Sequence, residues 1–186
     1  MIQHKAKKDS AMPDSIVHFL CAENGTFPNN SILELCLFKQ VFPHDAVHLP
    51  ELIETRFKKN QWLPAWRNGL YPFHHYHSTA HEALGVYSGW VEACFGGPQG
   101  TIVRAAAGDV IIIPAGVAHK NIEQSPDFSV VGAYPTGQKW NMKYGRPDER
   151  PQADRDILQV VLPAADPVHG PGGPLMQLWN PAGLFG

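Results

Sequence analysis

Several features that mark particular classes of protein are missing from this chain of 186 residues. No apolar run approaches the roughly 20 residues that a membrane-spanning helix needs. The opening residues, MIQHKAKKDS, contain lysines but no apolar stretch before a cleavage site, so we expect no signal peptide and a cytoplasmic location. The net charge of −2 includes no basic excess, which argues against a nucleic-acid partner.

Cysteine is scarce, and common catalytic motifs are absent. The three cysteines, Cys21, Cys36 and Cys94, are odd in number and form no CxxC pair, so we expect buried reduced thiols. No phosphate-binding glycine loop and no GxSxG elbow occur. His81 and Glu82 begin an HExxH pattern, but no histidine follows at the required position, which excludes that zinc-protease motif.

What the chain does contain is many short apolar runs separated by 17 glycines and 17 prolines. This punctuation is typical of all-β proteins and predicts a sandwich or barrel. Residues 16–23 and 32–42 read as the first strands, and GGPQG at 96–100 as a hairpin loop. Because the later runs lie close together, we expect the barrel core at about residues 62–135.

One helix is predicted in residues 46–60, before the barrel core. Asp45 is a plausible N-cap, and Pro50 fits only if it lies in the first turn. The apolar residues that share one helical face are Leu49, Leu52, Ile53 and Phe57. The flanking regions are irregular: we expect a flexible N-terminus at 1–14, and a single domain at 15–186 whose residues 136–186 wrap over the barrel.

Histidines are concentrated in the stretch YPFHHYHSTAHE, which begins at residue 71. Residues two apart on a strand share a side, so His75 and His77 would face together while Tyr76 faces away. Glu82 follows after a polar turn, and His119 comes after a Pro-Ala-Gly turn elsewhere in the chain. Three imidazoles and a carboxylate are suitable ligands for a transition metal. Structural histidines on a solvated face are the alternative.

The spacing of these residues resembles both motifs of the cupin superfamily. The first set reads G-x5-H-x-H-x4-E-x6-G and comprises Gly69, His75, His77, Glu82 and Gly89. The second reads G-x5-P-x-G-x2-H and comprises Gly108, Pro114, Gly116 and His119. The chain departs from the second motif at Glu123, where the family has asparagine; Asn121 stands two residues earlier. The longer stretches HHYHSTAHEALGVYSG and GDVIIIPAGVAHKN resemble the YjlB-like bacterial monocupins.

This resemblance implies a cupin jelly-roll barrel with a divalent metal in its interior. The ligands it implies are His75, His77, Glu82 and His119. The Irving–Williams order leaves Mn, Fe, Ni, Co, Cu and Zn all open as the bound ion. Around the metal, strand parity places Leu84 and Val86 on the same side as Glu82, and Asn121 on the same side as His119, so these three are candidate pocket residues.

Three functions fit these expectations. The first is a metal-dependent enzyme, of the dioxygenase type or the isomerase or lyase type, that acts on a small oxygenated molecule. The second is a non-catalytic module that binds a small ligand, and the third is a structural cupin. The first two strands could pair across a homodimer. Neither nucleic acid nor membrane is expected as a partner.

Overall fold

The computed structural model describes residues 16–180, which contain nine strands and three helices. The strands are β1 Ile16–Cys21, β2 Asn30–Phe38, β3 Trp66–Asn68, β4 Glu82–Ser88, β5 Trp90–Phe95, β6 Thr101–Ala106, β7 Val110–Ile113, β8 His119–Gln124 and β9 Ser129–Ala133. The helices are α1 Leu49–Lys59, α2 Gln152–Gln159 and α3 Pro174–Leu178, and a 3₁₀ turn covers Pro147–Glu149. The predicted flexible segment 1–14 lies outside the described residues.

The strands form two antiparallel sheets. Six strands are arranged in the order β1-β2-β7-β4-β9-β3, and three in the order β6-β5-β8. Strands β5 and β6 form the predicted hairpin around GGPQG, with Phe95 opposite Thr101. The all-β jelly roll that the sequence predicts is therefore confirmed. Strand β1 forms an edge of the larger sheet, and the homodimer expected from pairing of the first strands stays a prediction.

The central strands of the larger sheet are covered on both faces. An inner cluster of buried residues lies between the sheets and includes Leu35, Leu84, Val86, Phe95, Ile111, Ile113 and Val130. An outer cluster covers the opposite face and includes Phe38, Ile53, Phe57, Val110, Ile112, Val131, Leu175 and Trp179. Strand β7 is apolar at every position because its alternate side chains enter these two clusters in turn.

Helix α1 occupies the predicted position and packs on the outer face. Leu49, Ile53 and Phe57 are buried, and Pro50 lies in the first turn, where no intrahelical N–H is required. The helix starts later than Asp45 would allow: its N-cap is His48, in the left-handed conformation with φ 62°. The prediction that Asp45 caps the helix is thus wrong.

The C-terminal segment covers the outer face, as expected for a wrap. Trp62 donates from Nε1 to the carbonyl of Ala165 at 2.8 Å, and Trp179 donates from Nε1 to the carbonyl of Glu34 at 2.8 Å. The segment contains α2 and α3, which the sequence did not predict. Helix α2 has eight residues, and of these only Ala153 is buried. It therefore lacks the long apolar face from which a helix can be predicted.

The larger sheet extends further toward the N-terminus than residues 62–135. Strand β2 lies between β1 and β7, and Cys36 pairs opposite Ile112. The boundaries between core and wrap stay predictions.

The three cysteines are free and buried, as expected. No helix within residues 16–180 combines the length and apolar character that would let it cross a bilayer.

Replacement of Gly132 by alanine should destabilise the fold. Gly132 lies on β9 under the indole of Trp66, and an added Cβ would lie 2.0 Å from Cζ2 of that ring. Such overpacking costs about 1–3 kcal/mol of unfolding free energy, measurable by urea denaturation. Gly172→Ala is the control, because no atom lies within 4 Å of its added Cβ. Equal stability of the two variants would contradict this account of the packing.

Candidate metal centre

Three buried histidines converge at one end of the space between the sheets. One ring nitrogen each of His75, His77 and His119 lies within 4.8 Å of the others. Such a cluster can hold a metal ion, because neutral imidazole nitrogens are good ligands for transition metals. His75 and His77 lie outside the regular strands, whereas His119 begins β8.

Backbone hydrogen bonds bring these distant segments together. His75 and His119 form an isolated antiparallel bridge, with the His119 N–H donating to the His75 carbonyl at 2.9 Å. Gly116, in the turn before β8, donates its N–H to the His77 carbonyl at 2.8 Å. Its φ of +93° and the backbone oxygen of Asn29, 2.4 Å from an added Cβ, leave room for glycine alone. The turn therefore holds both histidine segments.

The hydrogen bonds of the histidines define their tautomers. The Nδ1 atoms of His75 and His119 lie 3.1 and 3.0 Å from the carbonyl oxygens of Phe73 and Val117, and His77 Nδ1 contacts the carbonyl of Asn141. A carbonyl oxygen only accepts, so each Nδ1 carries the hydrogen. In the neutral ring the lone pair then lies on Nε2, which leaves that nitrogen available as a ligand.

Glu82 lies beside two of these rings. Its Oε2 lies 3.3 Å from His119 Nε2 and 3.6 Å from His77 Nε2. Both Oε2 and His119 Nε2 are buried without a hydrogen-bond partner. With the His119 hydrogen on Nδ1, these two atoms are acceptors that face each other. Since buried unpaired acceptors are costly, a cation between them would satisfy both.

The electrostatics of the cluster keep His75 neutral and Glu82 ionised. Burial and the neighbouring His119 lower the pKa of His75 to about 3. Burial raises the pKa of Glu82, but the neighbouring rings of His77 and His119 outweigh it and lower that pKa. Burial opposes protonation of His77, yet Glu82 raises its pKa, so a proton would compete with any metal ion for His77 Nε2.

The cluster opens into a cavity of about 210 Å³. Its lining includes Trp66, Arg67, Leu70, Tyr71, Leu84, Tyr134, Trp140 and Met142 beside the three histidines and Glu82. Leu84 lines this cavity and packs in the inner cluster. Val86 packs in the same cluster without lining the cavity, and Asn121 lies in a neighbouring cleft, where its amide donates to the Leu70 carbonyl at 3.3 Å. The role of these three residues as pocket residues stays a prediction.

Sequence reasoning missed the aromatic wall of this cavity. The prediction that residues 136–186 wrap over the barrel does not indicate which rings line the cavity. Tyr134 and Trp140 stack with centroids 5.9 Å apart, and both rings contact His77 edge-on. Burial, with the adjacent charge of Glu82, raises the pKa of Tyr134, which keeps its phenol protonated and able to donate a hydrogen bond.

The other nearby side chains have structural contacts. Tyr76 faces away from the cluster, as predicted, and donates from its hydroxyl to Glu149 Oε2 at 3.1 Å. His81 is buried against Trp179, with ring centroids 4.7 Å apart, and its Nδ1 accepts from the Ala115 N–H at 3.0 Å. Burial lowers the pKa of His81 to about 4, so the ring is a neutral part of the packing.

A relative of known sequence shows the family of the chain. No family model matches the chain. A relative from Bacillus subtilis strain 168, named "Uncharacterized protein YjlB", is 39% identical over 157 residues, which cover 84% of this chain and 92% of the relative. The chain belongs to the YjlB family of cupins. This confirms the resemblance carried by the two histidine motifs.

Solved structures resemble this YjlB-family chain more distantly. Acireductone dioxygenase from Bacillus anthracis, with a cadmium ion in its active centre, is 15% identical, covering 59% of this chain and 83% of that one at a TM-score of 0.44. The epimerase RmlC from Legionella pneumophila, in complex with dTDP-4-keto-L-rhamnose, is 14% identical, covering 65% and 72% at a TM-score of 0.36. Neither likeness carries information on the activity of this family member.

In this YjlB-family chain the covering segment is attached to the histidine loop. Asn141 accepts from the Ser78 N–H through Oδ1 and donates to Ser78 Oγ, both at 2.8 Å. Thr79 donates its hydroxyl to the Lys139 carbonyl at 2.7 Å. Because the carbonyl of Asn141 also accepts from His77, one residue positions both the loop and the ring.

Asn141→Ala should therefore weaken the fold around the histidine loop. It leaves the part-buried Ser78 N–H without its acceptor, which costs about 1–3 kcal/mol of unfolding free energy. Urea denaturation of the metal-free chain measures this loss. Asn68→Ala is the control, because the exposed side chain of Asn68 bonds only to the adjacent Gly69 N–H among the described contacts. If both variants lose the same stability, Asn141 does not fasten the loop.

Proposed function

We propose that the chain is a metal-dependent enzyme that binds one divalent transition metal through His75, His77, Glu82 and His119 and acts on a small oxygenated molecule. The observation that carries the proposal is the pair of buried, unpartnered acceptors, Glu82 Oε2 and His119 Nε2, 3.3 Å apart. A metal cation between two such atoms would remove the cost of burying them unpaired.

The donor set is three neutral imidazoles and one carboxylate, which suits Mn, Fe, Ni, Co, Cu or Zn. When bound, such an ion polarises a ligand oxygen or, if it is redox-active, transfers electrons. The first property would serve an isomerase or lyase and the second a dioxygenase. We include both reaction types in the proposal, because the same four residues serve either.

The remaining residues of the cavity would bind and orient the substrate. Leu84, Trp66 and Met142 supply apolar walls that exclude water from the ligand cluster. Tyr134 would donate its phenolic hydrogen to a substrate oxygen, since its pKa is raised by burial and by Glu82. A protonated donor that stays protonated at neutral pH can stabilise negative charge developing on that oxygen.

Metal content tests the ligand set. Protein made without an affinity tag should hold about one equivalent of a transition metal, and His119→Ala should lower the affinity for zinc by at least about tenfold. His74→Ala is the matched control. His74 directly precedes His75 in the chain, but its ring packs on Phe27, with centroids 5.6 Å apart. Equal zinc affinity in the two variants, each verified as folded, would disprove the proposed ligands.

Metal should also stabilise the fold. Free zinc at 100 times its dissociation constant should raise the unfolding free energy by about 2.7 kcal/mol, because the convergent donors exist only in the folded chain. Thermal and urea unfolding, with and without zinc, measure the increase, and removal of zinc by a chelator should abolish it. His119→Ala should show little increase at the same zinc concentration; an increase as large as wild type would argue that zinc binds elsewhere.

Turnover tests the enzymatic part of the proposal. Protein loaded in turn with Fe(II), Mn, Ni and Zn is incubated with sugars, catechols, diketones and organic acids while oxygen and products are followed. Oxygen consumption with iron would identify the dioxygenase type, and oxygen-independent product formation the isomerase or lyase type. Loaded protein that binds these compounds without converting any would support the ligand-binding alternative instead.

A further inference from the structure

We infer that the cavity beside the candidate metal centre selects a small, planar, conjugated molecule that presents oxygen to the proposed metal and carries at most one negative charge. This inference rests on the proposed function and specifies its substrate class. It is carried by three properties of the cavity: the faces of its aromatic walls, the pairing of its only arginine and its size.

The first property is a pair of aromatic walls next to the histidines. Trp140 stacks on Tyr134 with an interplanar angle of 20°, and its ring centroid lies 5.7 Å from that of His77. Trp140 is 51% exposed, so much of its indole is available to a ligand. A flat conjugated molecule held at the cluster could stack against this surface, which gives an aromatic pair about 0.5–1.5 kcal/mol beyond simple burial.

Aromatic rings also border the cavity beside His75. Tyr71 lies edge-on to His75 with centroids 5.2 Å apart and stacks on Phe73 at 5.0 Å. Trp66 packs near Tyr134, with centroids 6.5 Å apart. A saturated sugar with many hydroxyls would find few hydrogen-bonding groups among these rings. A conjugated ring would instead pack its faces and edges against the aromatic side chains.

The second property is charge. Within residues 16–180, Arg67 is the only lysine or arginine that lines the cavity, and its guanidinium is already paired with carboxylates. It bonds Glu54 through two contacts, at 2.6 and 2.9 Å, and Glu51 at 3.0 Å. Two carboxylates thus surround one guanidinium, so no free cationic side chain is available for a phosphate or dicarboxylate. Lys139 and Lys143, the basic residues nearest in sequence to Trp140, do not line the cavity.

The third property is size. The cavity volume of about 210 Å³ is smaller than the roughly 300–1,000 Å³ typical of pockets for drug-sized ligands. A single conjugated ring with two adjacent oxygens fits such a space. A nucleotide sugar or a molecule with several rings would have to extend outside it.

Binding of tropolone and lactate to the zinc-loaded chain tests the inference. Tropolone is a planar conjugated ring with two adjacent oxygens and one acidic proton, and lactate presents two chelating oxygens and one charge without a ring. Calorimetry should show tropolone binding about three- to tenfold more weakly to Trp140→Leu than to wild type, while lactate affinity stays unchanged. Quenching of indole fluorescence by tropolone should weaken in parallel.

Trp90→Leu is the matched control. Trp90 lies on β5, where Arg104 stacks over its ring at 3.8 Å, and it does not line the cavity. This variant should bind tropolone as wild type does. Equal tropolone affinities in Trp140→Leu and Trp90→Leu, or an equal loss of lactate binding in Trp140→Leu, would overturn the inference.

Zinc content, measured in the same samples, separates this inference from the proposed function. If wild type holds one equivalent of zinc but Trp140→Leu leaves tropolone affinity unchanged, the substrate class is wrong and the proposed metal centre stands. If wild type holds no zinc, the proposed function itself fails, and the substrate class fails with it.

Discussion

The close approach of Glu82 to His119 is the constraint on which the site depends. A carboxylate oxygen and an imidazole nitrogen lie 3.3 Å apart, buried and without other partners. This arrangement persists because backbone pairing positions both segments: His75 bridges to His119, and Glu82 pairs opposite Ile113. The fold therefore supplies the convergence, and the local hydrogen bonds of each Nδ1 direct the remaining nitrogen of each ring toward the cluster.

Burial of the central strands of the larger sheet on both faces constrains that framework. Residues of β7 alternate between the inner and outer clusters, so this strand has no solvent-facing side. Helix α1 and the C-terminal wrap cover the outer face, while the three-stranded sheet covers the inner one. Since a one-residue slip would exchange the two sets of side chains, the register of β7 and of β4, which carries Glu82, is strongly specified.

The segment after β9 has two roles at once. Asn141 holds the histidine loop and accepts from His77, whereas the preceding Trp140 stacks on Tyr134 at the cavity wall. The residue that orients the His77 ring thus directly follows a residue that lines the cavity. The orientation of His77 and the shape of the cavity are consequently linked through a few consecutive residues of irregular backbone.

The sequence by itself determined the strand-rich fold, the position of α1, and the grouping of His75, His77, Glu82 and His119, because these depend on periodicity and motif spacing along the chain. Only the tertiary structure decided that His48 rather than Asp45 caps α1, that Asn121 lies in another cleft, and that Tyr134 and Trp140 form a cavity wall. Such placements depend on contacts between residues far apart in sequence. Short-range sequence patterns do not predict those contacts.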